Sequence, residues 1–141
     1  MEENYLTSGP ISQKIISEII LRIGRHKNAG GNMVFLGQVR ADENRGKRVK
    51  AIEYSAYREM VNAEAENIKR KIYSEFGDVI SIVIVHSTGV VSAGEISLLV
   101  LVCSGHRQQA VQACGKTVEL IKSNLPVWKK EIYEDDSHTW K

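Results

Sequence analysis

Apolar and polar positions along this chain change their period several times. From Ile11 onward, apolar residues fall at Ile15, Ile16, Ile19, Ile20 and Ile23, a spacing that predicts an amphipathic helix. "KNAGG" breaks that pattern, and "NMVFLGQV" reads as a buried strand. The charged, glycine-containing stretch 40–48 is expected to be a mobile loop, and "VKAIEYSA" to be a second strand. A second helix is predicted from Tyr57 to Phe76, with Tyr57, Val61, Ala65, Ile68, Ile72 and Phe76 along one stripe. Gly77 ends it, and "VISIVIVHST" reads as a third strand. "GVVSAGE" reads as a connection with two turn glycines, followed by "ISLLVLVCS" as a strongly apolar central strand. A third helix is predicted from His106 to Asn124, stopped near Pro126, and "VWKKEIY" forms a short strand ahead of a polar tail. Helices alternate with strands, yet neighbouring strand pairs also occur. The pattern predicts an α+β protein with about three helices and a mixed or antiparallel sheet.

Composition narrows the class. A chain of 141 residues, 43% hydrophobic and 26% charged, is expected to form one globular domain over 1–141 with a real core. Its apolar runs are too short and broken to span a bilayer, and "MEENYLTSGP" does not resemble a secretory signal. Cys103 and Cys114 form no C-x-x-C motif, which points away from a disulfide framework or zinc site and towards a reducing cytoplasm. The formal net charge of +2 gives no general argument for nucleic acid. Binding through Arg45, Lys47, Arg48 and Lys50 would show a steep salt dependence, but no nucleic-acid motif accompanies them.

Basic residues nevertheless concentrate in places that suit small anions. In "CSGHRQQA" an apolar strand ends at Cys103, and Ser104-Gly105 lead into a helix opening with His106 and Arg107. A serine-capped helix N-terminus with two cationic side chains is either an anion site or an ordinary capped helix. Arg40 ends the strand "FLGQVR", where a guanidinium can meet phosphate or carboxylate. In "KSNLPVWKKE", Lys122 closes a helix and Pro126 turns the chain, so that Lys129 can fold back towards Lys122. Strand alternation places Trp128, Lys130 and Ile132 on one face and Val127, Lys129 and Glu131 on the other. Arg107 and Lys122 lie 15 residues apart on one helix, about 22 Å, too far to hold one small anion within a single chain. They serve two sites, or one site built from two copies. His86 reads as a sheet-end histidine, His26 and His138 lack metal-ligand spacing, and both cysteines read as packing. The scattered glycines form no dinucleotide fingerprint.

From about Asn32 to Glu131 the order of "FLGQVR", "AIEYSAYREM", "TGVVSAGEISLLVLVCSGHR" and "KSNLPVWKKE" resembles the family of catalytic (large) subunits of molybdopterin synthase. Residues 1–30 add little to the likeness. The resemblance implies an α/β-hammerhead-type α+β fold and a homodimer within a heterotetramer. It implies a small ubiquitin-like partner whose C-terminal Gly-Gly tail carries a thiocarboxylate. It implies sulfur transfer from that tail to cyclic pyranopterin monophosphate, forming the molybdopterin dithiolene, with no cofactor or metal of this chain. By the same resemblance, Lys122 and Lys129 are the catalytic lysines, and Phe35, Arg40, His106 and Arg107 bind substrate. The sequence departs from the family pattern at Ser55, Ser87, Val111 and Gly115, and in the tail "YEDDSHTWK". The contrasting reading is a non-catalytic dimeric module that binds a phosphorylated metabolite or an acidic protein tail.

Overall fold

The computed structural model describes residues 4–141. The chain runs β1 (Leu6–Ser8), α1 (Gln13–Ile23), β2 (Gly31–Gln38), β3 (Glu43–Asn44), β4 (Lys47–Ala56), α2 (Arg58–Glu75), β5 (Val79–Ser92), β6 (Ile96–Ser104), α3 (Arg107–Asn124), β7 (Val127–Tyr133) and β8 (His138–Trp140). This is the α+β architecture expected. The strand order is β2-β6-β5-β4-β7-β8, with β1 pairing parallel to β5 and β3 antiparallel to β4. Of the domain expected over 1–141, Met1, Glu2 and Glu3 lie outside the described residues, as does the start of the polar N-terminal stretch. Among the described residues no helix is long and apolar enough to cross a membrane.

The unbroken apolar run of β6 has a simple cause. Its alternate residues face two different helical layers. Leu98, Val100 and Val102, with Ile82 and Ile84 of β5, pack under Val61, Ala65, Ile68 and Ile72 of α2 and Ala113, Val118 and Ile121 of α3. Leu99, Leu101 and Cys103, with Val83, meet Ile11 and the α1 residues Ile19 and Ile23 on the other side. A strand covered on both faces cannot alternate apolar with polar. A third cluster of Val49, Ile52, Tyr54, Val91 and Tyr133 fills the space beneath the β4–β7 region.

Several expectations need correction. "GVVS" is not a connection: β5 continues through it to Ser92. The strand pairs with β6 as far as His86, turns at Gly89 (φ 81°), and then pairs with β4. Glycine adopts that left-handed conformation without a Cβ penalty, so one strand serves both halves of the sheet. Residues 40–48 are not a free loop. Arg45 and Gly46, both at positive φ, close a two-residue β3–β4 hairpin, the geometry that matches strand twist. The tail is not irregular either, since β8 pairs with β7. Lys47 reaches Asp135 at 3.2 Å, Lys50 pairs with Asp136, and the Glu134 N–H donates to the Arg48 carbonyl at 2.9 Å. Two of the four cations considered for nucleic acid are therefore neutralised within the chain.

β2 also differs from the buried strand expected. It is an edge strand, paired only with β6, and Met33, Val34 and Leu36 are exposed while Phe35 packs against the main core. The apolar run marks the strand, but not that it lies at the edge of the sheet.

Candidate active site

β7 is laid along β4 so that Tyr54 sits opposite Lys129 and Ile52 opposite Glu131. Residues directly opposite share a face, so these four side chains line one wall of a cavity of about 330 Å³. The intervening pair points the other way: Lys130 meets Glu53 at 3.5 Å and lies 5.4 Å from the Trp140 ring centre. The separation of Lys129 from Lys130 read from strand alternation is thus realised. The C-terminal turn of α3 adds Ile121 and Lys122, β2 adds Phe35, the segment just after β2 adds Arg40, and β5 adds His86. Leu125 and Val127, either side of Pro126, line the same space. The proline bend therefore brings Lys122 and Lys129 to one cavity.

The electrostatics of this cavity are unbalanced. Among the described residues Lys130 and Lys141 have carboxylate partners, Lys141 lying 3.8 Å from Glu131. Lys122 and Lys129 have none. Burial, then the charge of Lys122, then that of Lys141 push the Lys129 ammonium below its ordinary pKa. A cation that is half-buried beside other cations is stabilised by an incoming anion. Arg40 stands exposed at the rim, its Nε 2.6 Å from Asp42 Oδ1, a pairing that raises its pKa. A ligand anion at Arg40 competes with that carboxylate.

The His106-Arg107 pair lies elsewhere. It opens α3 at the end opposite Lys122, and neither residue lines the cavity. The expected serine cap is also displaced. Ser104 belongs to β6 and its hydroxyl donates to the His106 carbonyl, while His106 itself is the cap residue. The anion at this helix N-terminus is Asp78, which sequence reasoning missed. Its Oδ2 accepts from the His106 backbone N–H at 2.7 Å and lies 3.2 Å from His106 Nδ1. Gly105 permits the approach, because a Cβ there would stand 2.5 Å from Asp78 Oδ1. The pairing of Val79 with Ser104 makes Asp78 and Gly105 neighbours. Arg107 is left exposed and without an ion-pair partner among the described residues.

His86 and Glu131 are further residues that the sequence did not single out for the site. Both are buried and both line the cavity. Glu131 was marked only by sharing the Lys129 face. Cys103 and Cys114 are buried and their thiols are pushed up by that burial, as expected of packing residues. Among the described residues no cluster of histidine, cysteine or carboxylate side chains has metal-binding geometry.

Helices on both faces of a bent, mostly antiparallel sheet, and a cavity holding two lysines without ion-pair partners among the described residues, define an α+β protein with a cationic cavity. The chain belongs to the MoaE protein family, whose family model matches residues 6–124. That span includes Lys122 and stops before Lys129. A molybdopterin synthase catalytic subunit from Dictyostelium discoideum is 39% identical over 134 residues, covering 93% of this chain and 84% of that protein. The crystal structure of molybdopterin synthase from Staphylococcus aureus superposes with a TM-score of 0.85 at 30% identity, covering 100% of this chain and 98% of the other. A protein–protein complex of subunits 1 and 2 of molybdopterin-converting factor from Helicobacter pylori shares the fold, with a TM-score of 0.79 at 21% identity over 96% of this chain and 87% of that one.

Proposed function

We propose that this chain is the catalytic subunit of a molybdopterin synthase. It transfers sulfur from the C-terminal thiocarboxylate of a small ubiquitin-like partner to cyclic pyranopterin monophosphate, forming the molybdopterin dithiolene. One observation carries the assignment of the site. Two lysines without carboxylate partners, Lys122 and Lys129, share a cavity with Phe35 and Arg40. Lys122 stabilises the negative charge that develops at the partner's terminal carbonyl, and Lys129, its pKa lowered, supports it electrostatically. Arg40 takes an oxygen of the substrate in a charge-assisted hydrogen bond, and Phe35 contacts the pterin. The sulfur arrives on the partner, so neither buried cysteine has to carry it.

His106 and Arg107 enter through a second copy of the chain. About 22 Å of helix separates Arg107 from Lys122, so His106 and Arg107 of one protomer complete the cavity of the other. The exposed apolar edge of β2 is consistent with such pairing. The working unit is a homodimer carrying two partner subunits, each chain acting as one domain over 1–141 in the cytoplasm.

Purified protein mixed with thiocarboxylated partner and cyclic pyranopterin monophosphate is expected to form molybdopterin. Lys122→Ala is expected to lower the rate by at least a hundredfold, the scale of losing an electrostatic group at a transition state. Full activity in that variant would remove Lys122 from the mechanism.

A further inference from the structure

His86 occupies an unusual position for a histidine. It is only 6% exposed, yet its ring lines the cavity that holds Lys122 and Lys129. Nδ1 lies 2.8 Å from the Ser87 carbonyl oxygen. A carbonyl oxygen only accepts, so Nδ1 carries the hydrogen, and in the neutral ring Nε2 is left as a bare acceptor. The Tyr54 ring stands edge-on at 5.1 Å, and its hydroxyl is engaged by Ser97 at 3.0 Å. Among the described residues nothing hydrogen-bonds Nε2. An acceptor that opens on a cavity and has no protein partner is available to a donor from outside the chain.

The charges around the cavity keep this acceptor free. Burial foremost, and then the cations Lys129 and Lys122, hold the imidazole unprotonated, against the opposing pull of the Ser87 carbonyl. The other ionisable groups that line the wall, Arg40, Asp42, Glu131 and Lys141, are taken up in ion pairs with one another. The cavity, about 330 Å³, also presents Phe35 and Tyr54, a lining suited to a flat heterocycle. A pterin carries ring N–H, amino and hydroxyl donors.

We propose that His86 is a further substrate-binding residue, whose Nε2 accepts a hydrogen bond from an N–H or O–H of the pterin. The inference rests on the sulfur-transfer reading of the same cavity. It assigns His86 to recognition of the ring, while the lysines and arginines recognise charge.

Two substitutions separate the halves of the imidazole. His86→Asn keeps a donor near the position of Nδ1 but has no acceptor at that of Nε2. His86→Gln places an amide oxygen near Nε2 and loses the anchor to Ser87. Calorimetric binding of cyclic pyranopterin monophosphate to the full chain is expected to weaken about tenfold in His86→Asn, with His86→Gln within about twofold of wild type. The reverse order marks a purely structural role and overturns the proposal, as does equal weakening in both. Wild-type protein supplies the check should either variant unfold: the nitrogen resonance of His86 Nε2 is expected to move upfield on saturation with the pterin, and an unmoved resonance also overturns it. Lys122→Ala assayed alongside distinguishes the two failures. An inactive Lys122→Ala with unchanged His86 variants sinks only the assignment of His86, whereas a fully active Lys122→Ala sinks the reading of the site.

Discussion

His86 couples folding to pH. In the unfolded chain its imidazole titrates near 6.5, whereas in the native cavity burial and the two lysines lower it to about 4. Above pH 6.5 both states are neutral and the native protein keeps its full stability. As pH falls through 6.5 the unfolded chain takes up a proton that the native chain refuses, so stability falls until about pH 4. The interval of 2.5 pH units corresponds to a loss of at most about 3 kcal/mol. Urea denaturation at pH 7 and pH 4.5 is expected to show this loss in wild type and a smaller one in His86→Gln. An equal loss in both would assign the acid sensitivity to other groups. Neither His86 nor Asp78 was legible from local sequence. His86 ends an apolar run that reads equally well as core, and Asp78 becomes a helix cap only because β5 pairs with β6.

At the scale of elements, propensity and tertiary context part company in α3. Gly115 sits inside that helix, and a Cβ built there meets nothing within 4 Å. Gly115→Ala is expected to stabilise the protein by about 0.5–1 kcal/mol, raising the melting temperature by a few degrees. An unchanged or lower melting temperature would mean that the helix face around Gly115 is covered in solution. The three helices were legible because their apolar stripes repeat with helical spacing. The β3–β4 hairpin and β8 were not, because both segments are charged and carry no alternation. They are ordered by Asn44, Lys47 and Lys50 meeting Tyr133, Asp135, Ser137 and Asp136, contacts between residues nearly ninety positions apart.

At the scale of the whole molecule, one helix carries two parts of the proposed site at opposite ends. Chains bearing Lys122→Ala and chains bearing Arg107→Ala are each expected to be inactive as homodimers. Refolded together, they form hybrid dimers with one doubly defective site and one intact site. Random mixing makes half of the dimers hybrid, so roughly a quarter of wild-type activity should return. No recovery in verified hybrid dimers would show that the site is not shared between protomers, whereas an active Arg107→Ala homodimer would place Arg107 outside the reaction.

The α+β class, the three helices, the buried strand β6 and the division of Lys129 from Lys130 were all legible in the sequence. Those follow from period and alternation, which are local properties of a chain. The sequence also contained the helix-length argument that separates Arg107 from Lys122, since rise per residue is fixed by backbone geometry. Which charges remain unpaired, in contrast, depends on how the chain folds. Cross-strand register set Glu53 against Lys130 and brought Asp78 to the start of α3, while the β8 tail carried Lys141 to Glu131. Among the described residues Lys122 and Lys129 are left without an ion pair at the cavity they share with His86, because the carboxylates that line it, Asp42 and Glu131, are taken up by Arg40 and Lys141. Pairing of charges depends on contacts between distant segments, and that is why composition could count the cations but not say which were free.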